Sequence, residues 1–167
     1  MGKNGKSCPN LPEICLTGVV MAFFKGQETY SIDNKGRVNI PVKMRKSISP
    51  EAKDTFTVTR GLEECVVAYP IDEWKKYEEK FVGLNQYDSK NRYFLTVILQ
   101  WAEDVSLDGQ QRISIPKKLI DFAGIENKVV IVGMVDHIEF WNPEKFEAYL
   151  AKFDESYEVV AATVMVK

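Results

Sequence analysis

An acid and an arginine four residues apart, separated by a short polar turn, occur twice in this chain of 167 residues. The first copy is Asp33-Asn34-Lys35-Gly36-Arg37, and the second, 75 positions later, is Asp108-Gly109-Gln110-Gln111-Arg112. Two chemistries are open to such a pattern. One carboxylate from each copy could face the other across an internal axis and share a proton, as a pseudo-dyadic acid/base pair does. Dyads of that kind need an apolar cleft, whereas Asp33 and Asp108 stand in charge-rich turns beside arginines. The other chemistry is recognition of a polyanion. An arginine just past a glycine turn can offer its planar fork to guanine O6 and N7, while Lys35, Lys43, Arg45 and Lys46 are spaced to hold phosphates. Asp33 then serves as turn-former and arginine partner rather than as a reader of bases. A purely structural role stands beside this one for Arg37: a salt bridge to Asp33 or to its repeat mate. Arg112 reads rather as an internal or interface arginine. Gly36 is placed for a positive φ.

Each copy reads as strand, polar turn, alternating strand, and a proline that opens a short helix. Val38-Asn39-Ile40 and Ile113-Ser114-Ile115 alternate with the period of a half-buried strand. Pro41 and Pro116 follow at the same offset and suit the first turn of a helix. The duplication runs on: Gly61 and Gly133, Tyr69 and Trp141, and Trp74 and Phe146 are each 72 apart. A three-residue deletion near Glu126 accounts for the change of offset. Each half is therefore expected as hairpin, short helix, second hairpin and helix, with a pseudo-twofold axis between halves. The expected organisation is an extension over 1–20, repeat one over 27–70, a helical connector over 71–101, repeat two over 102–145, and a helix and tail over 146–167.

Size and composition fit a globular domain or two closely packed halves. The formal net charge of −2 argues neither for nor against nucleic acid, but its distribution is uneven. Residues 33–46 carry a net +4 and residues 136–158 a net −5, which points to a polyanion at one end and solvent or a subunit neighbour at the other. Three cysteines without CxxC spacing supply neither a disulfide framework nor a zinc set. Cys65 lies in an apolar strand pattern, and His137, the only histidine, has no ligand-spaced partner and reads as a strand-turn residue. No cofactor motif, metal cluster, phosphate loop or nucleophile–base set accompanies the two aspartates, and no small-molecule substrate or membrane is implied. The apolar run Ile14–Phe24 is too short to span a bilayer and lacks a cleavage signature. Phe23-Phe24-Lys25-Gly26 leads straight into the first strand, and residues 1–20 are read as a disordered upstream extension, with Met21 the functional start.

In chain order, Pro41–Ser47 is expected as a basic helix, with strands at Thr55–Thr59 and Cys65–Tyr69. Asp72 should cap a helix to Phe81, placing Trp74, Tyr77 and Phe81 on one face. Asp88 or Ser89 should cap another helix through Trp101. Pro116–Ala123 follows, ended by Gly124, and then Pro143–Phe153. For Tyr157–Lys167 the pattern does not separate strand from helix.

From Phe24-x-Gly26 through Asp33-x-Lys35-Gly36-Arg37, Thr59-Arg60-Gly61-Leu62, Leu107-Asp108…Arg112-Ile113-x-Ile115-Pro116 and Phe140-Trp141, the chain resembles the MraZ family of bacterial transcriptional regulators. That family consists of tandem relatives of AbrB/SpoVT swapped-hairpin domains, and the resemblance covers roughly residues 22–155. It implies a β-rich α+β fold: two hairpin–helix repeats forming a pseudo-twofold swapped-hairpin β-barrel with peripheral helices. It also implies a cytoplasmic, nucleoid-associated regulator of the division and cell-wall gene cluster, in which ring homo-oligomers bind short direct repeats of double-stranded DNA in their own promoter. The DNA-binding residues would be Lys35, Gly36, Arg37, Lys43, Arg45 and Lys46, with Asp33 and Arg112 either structural or in contact with DNA. Repeat two carries Gln110-Gln111 where the family more usually has glycine before the arginine, which leaves the geometry of that turn open. An AbrB-like antitoxin with an acidic C-terminal arm is a further reading. It expects one hairpin and a disordered tail, where this sequence has two hairpins.

Overall fold

The computed structural model describes residues 22–166, so the 1–20 extension and Met21 lie outside the described residues. Repeat one supplies β1 (Gln27–Ser31), β2 (Arg37–Asn39), α1 (Val42–Arg45), a 3-10 turn (Pro50–Ala52), β3 (Thr55–Arg60), β4 (Val66–Pro70) and α2 (Ile71–Val82). After the connecting helix α3 (Ser89–Trp101), repeat two supplies β5 (Glu103–Ser106), β6 (Arg112–Ser114), α4 (Lys117–Ala123), β7 (Lys128–Met134), β8 (His137–Trp141) and α5 (Pro143–Leu150). A last helix, α6 (Tyr157–Met165), resolves the ambiguous tail. The three extra residues of repeat one fall in the α1–β3 segment, which holds the 3-10 turn.

The duplication is written into the strand pairing. One antiparallel sheet runs β1-β7-β8-β4-β3-β5, an order that maps onto itself when the repeats are exchanged. The remaining two strands, β2 and β6, form a separate antiparallel ribbon. In the sheet Val67 pairs with Glu139, its own counterpart at offset 72; in the ribbon Val38 pairs with Ile113, its counterpart at offset 75. The pseudo-twofold axis passes through both pairs. The large sheet stays open between β1 and β5, and the ribbon packs on its inner face. There Val38, Ile40, Ile113 and Ile115 join Phe56, Ile131 and Phe140 in one buried core.

One sequence expectation is corrected. The strands flanking each Asp turn do not pair with one another as local hairpins: β1 pairs with β7, and β2 pairs with β6. Turn chemistry reverses the chain equally well in either arrangement, so the partner is chosen by burial. Exchange across the axis puts the apolar positions of both short strands under the sheet together.

The helices follow local rules with one exception. Asp88 accepts hydrogen bonds from the Lys90 and Asn91 N–H groups and so caps α3. Gly124 closes α4 at φ 65°. Asp72, expected as a cap, sits instead inside the first turn of α2, which starts behind Pro70. Its Oδ2 accepts a 2.6 Å hydrogen bond from the Ser49 hydroxyl, fastening the 3-10 turn to α2. The aromatic face of α2 is as expected: Trp74 packs against Tyr69, Tyr77 and Phe81. α5 ends at Leu150, short of Phe153.

Candidate nucleic-acid interface

The two Asp turns have the same geometry. Asp33 Oδ1 accepts hydrogen bonds from the backbone N–H groups of Lys35 and Arg37, both at 2.9 Å, and its Oδ2 accepts from Arg37 Nε at 2.7 Å. Asp108 Oδ1 likewise accepts from the N–H groups of Gln110 and Arg112, and its Oδ2 from Arg112 Nε at 2.8 Å. Each aspartate therefore organises its turn and holds its arginine by the ε edge, so that its own contact does not engage the terminal Nη pair. The turns also lock into each other's repeat. Ile115 N–H donates to the Gly36 carbonyl at 2.8 Å, and Ile40 N–H to the Gln111 carbonyl at 3.2 Å.

Gly36 has φ 76°, and a Cβ there would lie 2.6 Å from the Ile115 carbonyl oxygen and 2.7 Å from the Ile120 side chain. Gln111, its counterpart, takes the same left-handed conformation at φ 62° while carrying a side chain. Glutamine at this position therefore keeps the second turn's shape the same as the first and places backbone strain in it.

The ribbon brings the turns near each other. Arg112 Nη1 lies 4.0 Å from Asp33 Oδ2, so Asp33 sits between both arginines. Arg37 and Arg112 are half-exposed, with 34% and 22% of their side chains accessible. The hydrogen bonds from the Arg37 backbone N–H, then from its side chain and from Lys35, hold the Asp33 carboxyl below the usual carboxylate range. The same donors, from Arg112 and Gln110, do so for Asp108. Two carboxyls each kept ionised by an arginine are the reverse of a dyad that shares a proton.

Charge is distributed unequally about the axis. In repeat one Lys35, Lys43 and Lys46 are exposed, and among the described residues none of them makes an ion pair. Arg45 is half-buried, and its Nε is buried without a hydrogen-bond partner among the described residues. In repeat two the corresponding positions are Gln110, Lys118, Asp121 and Ile120. Lys118 lies 3.9 Å from Glu103, and Lys117 pairs with Asp121 at 3.1 Å. Free positive charge thus gathers at the Asp33 turn and the α1 helix two residues past the ribbon, and is cancelled at the second copy. Of the predicted residues, Lys35, Lys43 and Lys46 present their charge to solvent, Arg37 presents its fork, Gly36 is buried as a backbone element, and Arg45 faces partly inward.

A second polar cluster escaped the sequence reading. His137, the first residue of β8, has Nδ1 2.8 Å from Asp136 Oδ1 and Nε2 3.3 Å from Glu139 Oε1. The Tyr77 hydroxyl donates to Asp136 at 2.7 Å, and Trp141 Nε1 donates to Glu139 at 2.8 Å. Burial alone lowers the His137 pKa, but the hydrogen bonds to Glu139 and Asp136 outweigh it and raise the pKa above its ordinary value. The available signal was strand alternation: 137, 139 and 141 share a face of β8. Burial pushes the Tyr77 hydroxyl up to about 12 and drives the Cys65 thiol upward, so Cys65 is an inert core thiol. Among the described residues no group of three or more His, Cys, Asp or Glu is placed to hold a metal ion, and no helix is long and apolar enough to cross a membrane.

Comparison with known proteins places these features in a family. Residues 23–97 and 98–166 each match the family model described as "MraZ protein, putative antitoxin-like". The chain is 39% identical over 142 residues to the Transcriptional regulator MraZ of Natranaerobius thermophilus, covering 85% of this chain and 96% of that protein. It is 37% identical over 141 residues to the protein of the same name from Halothermothrix orenii, covering 84% and 96%. Against the Deinococcus radiodurans protein of that name it is 39% identical over 126 residues, 75% of this chain and 86% of that one.

Proposed function

The chain belongs to the MraZ family, and from this membership we propose that it is a DNA-binding transcriptional regulator, not an enzyme. The carrying observation is the polarised ribbon: Arg37 is held by its ε edge with 34% of its side chain accessible, flanked by exposed Lys35, Lys43 and Lys46, which make no ion pair among the described residues. A two-stranded antiparallel ribbon is narrow enough for the major groove. Arg37 there reads guanine, the lysines hold phosphates, and Asp33 fixes the arginine's direction. Arg112, tied to Asp108 and leaning toward Asp33, braces the turn from the other repeat. The promoter of the chain's own division and cell-wall gene cluster is the target, and repression of that promoter is the outcome, with the protein cytoplasmic and nucleoid-associated.

One ribbon with about five cations gives modest affinity and a steep salt dependence. Tight binding then needs several copies on tandem short direct repeats, because linked contacts raise the effective concentration of each next one. A ring homo-oligomer supplies that arrangement. The antitoxin reading has less support, since a second folded repeat and two further helices follow where it expects a bare acidic tail.

Gel-shift titration of a fragment from immediately upstream of the gene tests the reading with two variants. Arg37→Ala removes the fork, and Arg37→Lys keeps the charge while losing bidentate geometry. Both are expected to lose preference for the promoter over a scrambled fragment while retaining the parent's assembled mass. Unchanged promoter affinity in folded Arg37→Ala protein would rule out the assigned contact.

A further inference from the structure

The α6 helix has the wrong surface for a free helix. Among Tyr157–Met165 the charged residue is Glu158, and apolar side chains point in every direction. None of its residues is buried: Tyr157, Val164 and Met165 are 82%, 64% and 81% exposed. A helix apolar all round belongs in an interior. At nine residues, with Val159, Val160, Thr163 and Val164 β-branched, it is too short and too weak a helix former to persist alone in water. Leu150 and Phe153, leading into it, are exposed as well. Residues 150–166 therefore form an apolar arm without a seat among the described residues.

A seat of complementary character lies elsewhere on the molecule. Helices α2 and α3 enclose two adjoining open depressions of about 560 and 290 Å³.

 The shared lining is Gln86, Leu95 and Leu99; Phe81 and Val82 add apolar surface from α2, and Arg92 stands at the α3 rim. Leu99 and Val82 are exposed although they are large and apolar. The charges match in sign. α3 carries Lys90 and Arg92 and no acid, while the arm from Phe153 to Val166 carries Asp154, Glu155 and Glu158 and no cation. Glu78, on the α2 wall, is the acid that lines the groove.

We propose that the α6 arm of one copy docks in the α2–α3 groove of a neighbouring copy, its apolar stripe on Leu95 and Leu99 and its acidic lead-in beside Lys90 and Arg92. This is helix-in-groove recognition between two different surfaces of one chain. Such a contact is head-to-tail, and it closes into a ring when the rotation per copy permits. It rests on the self-assembly reading above and adds to it the two faces that meet.

Complementation by size tests it, using full-length chain and size-exclusion chromatography with light scattering. An arm-defective chain carries Val160→Glu and Val164→Glu; a groove-defective chain carries Leu99→Glu. All three positions are exposed or half-exposed, and circular dichroism checks that each variant is folded. Each variant alone is expected to run as a 19.1 kDa monomer. An equimolar mixture is expected to stop at a dimer, because each partner retains one sound face. Reversing the charges with Lys90→Glu and Arg92→Glu should lower assembly, and adding Asp154→Lys, Glu155→Lys and Glu158→Lys to the same chain should restore it. Parent-sized assemblies from either single-face variant, or a mixture that stays monomeric, overturn the docking while leaving self-assembly standing. A parent protein that is monomeric at every concentration overturns both.

Discussion

The same turn position in the two repeats should respond differently to gain and loss of a side chain. In Gly36→Ala the new Cβ meets the Ile115 carbonyl oxygen at 2.6 Å and Ile120 at 2.7 Å, on a backbone with φ 76°. The left-handed conformation costs an alanine about 1–2 kcal/mol, and forcing the overlapped neighbours aside costs about 1–3 kcal/mol more. The stiffer unfolded chain returns about 0.4–1 kcal/mol. A net loss of about 3 kcal/mol follows from these terms. At Gln111 the backbone already carries a side chain at φ 62°. Gln111→Gly therefore releases about 1–2 kcal/mol of strain and loses about 0.5–1 kcal/mol to backbone entropy, leaving the protein unchanged or slightly more stable. Urea unfolding followed by tryptophan fluorescence measures both, with m held as the check that the same surface is exposed. For a domain of this size about 3 kcal/mol is also a melting-point drop of about 6–12 °C. Gly36→Ala within 0.5 kcal/mol of the parent, or Gln111→Gly as damaging as Gly36→Ala, would refute the interlocked-turn geometry.

Two further predictions concern pH. Asp33 and Asp108 have folded pKa values below their unfolded ones, so their stabilisation is complete above about pH 4 and is lost as pH falls through the folded values. Asp33→Asn with Asp108→Asn should flatten the acid side of a plot of urea midpoint against pH; an acid limb as steep as the parent's would contradict this. His137 has a raised folded pKa, so its contribution is present below about pH 6.5 and is lost as pH rises through the folded value. His137→Gln should remove that decline, and a parent midpoint that does not fall between pH 6 and pH 9 would show that the carboxylates do not hold the imidazolium.

Matching Asp33 with Asp108, Arg37 with Arg112 and Pro41 with Pro116 located both turns and the axis between them, because turn chemistry is local and survives duplication. Strand partners were another matter. Nothing in Gln27–Ser31 distinguishes a near neighbour from Lys128–Met134, a hundred residues away, since alternation reports a buried face and not the strand beside it. Asp72 looked like a helix cap because its type and position suit one; only the approach of Ser49 in space gave it another partner. The cations at 35–46 were visible as a cluster, but their freedom was not. That depends on Glu103 and Asp121 lying close enough to pair with repeat two's lysines while no acid among the described residues does so for Lys35, Lys43 or Lys46. The His137 cluster is legible in the Asp136-His137-x-Glu139 spacing, which offers the imidazole two carboxylate partners and no metal-ligand set.

The most direct test of the account is fluorescence anisotropy of the parent protein on the duplex immediately upstream of its gene, over a salt series, beside a scrambled duplex. Replacing Lys35, Lys43 and Lys46 together by alanine should lower the magnitude of the slope of log affinity against log salt by about 0.9 per lost phosphate contact, and should weaken both duplexes equally. The account predicts a preference for the upstream duplex that survives this triple substitution and disappears in Arg37→Ala. Equal affinity of the parent for both duplexes, or a slope indifferent to the three lysines, would contradict it.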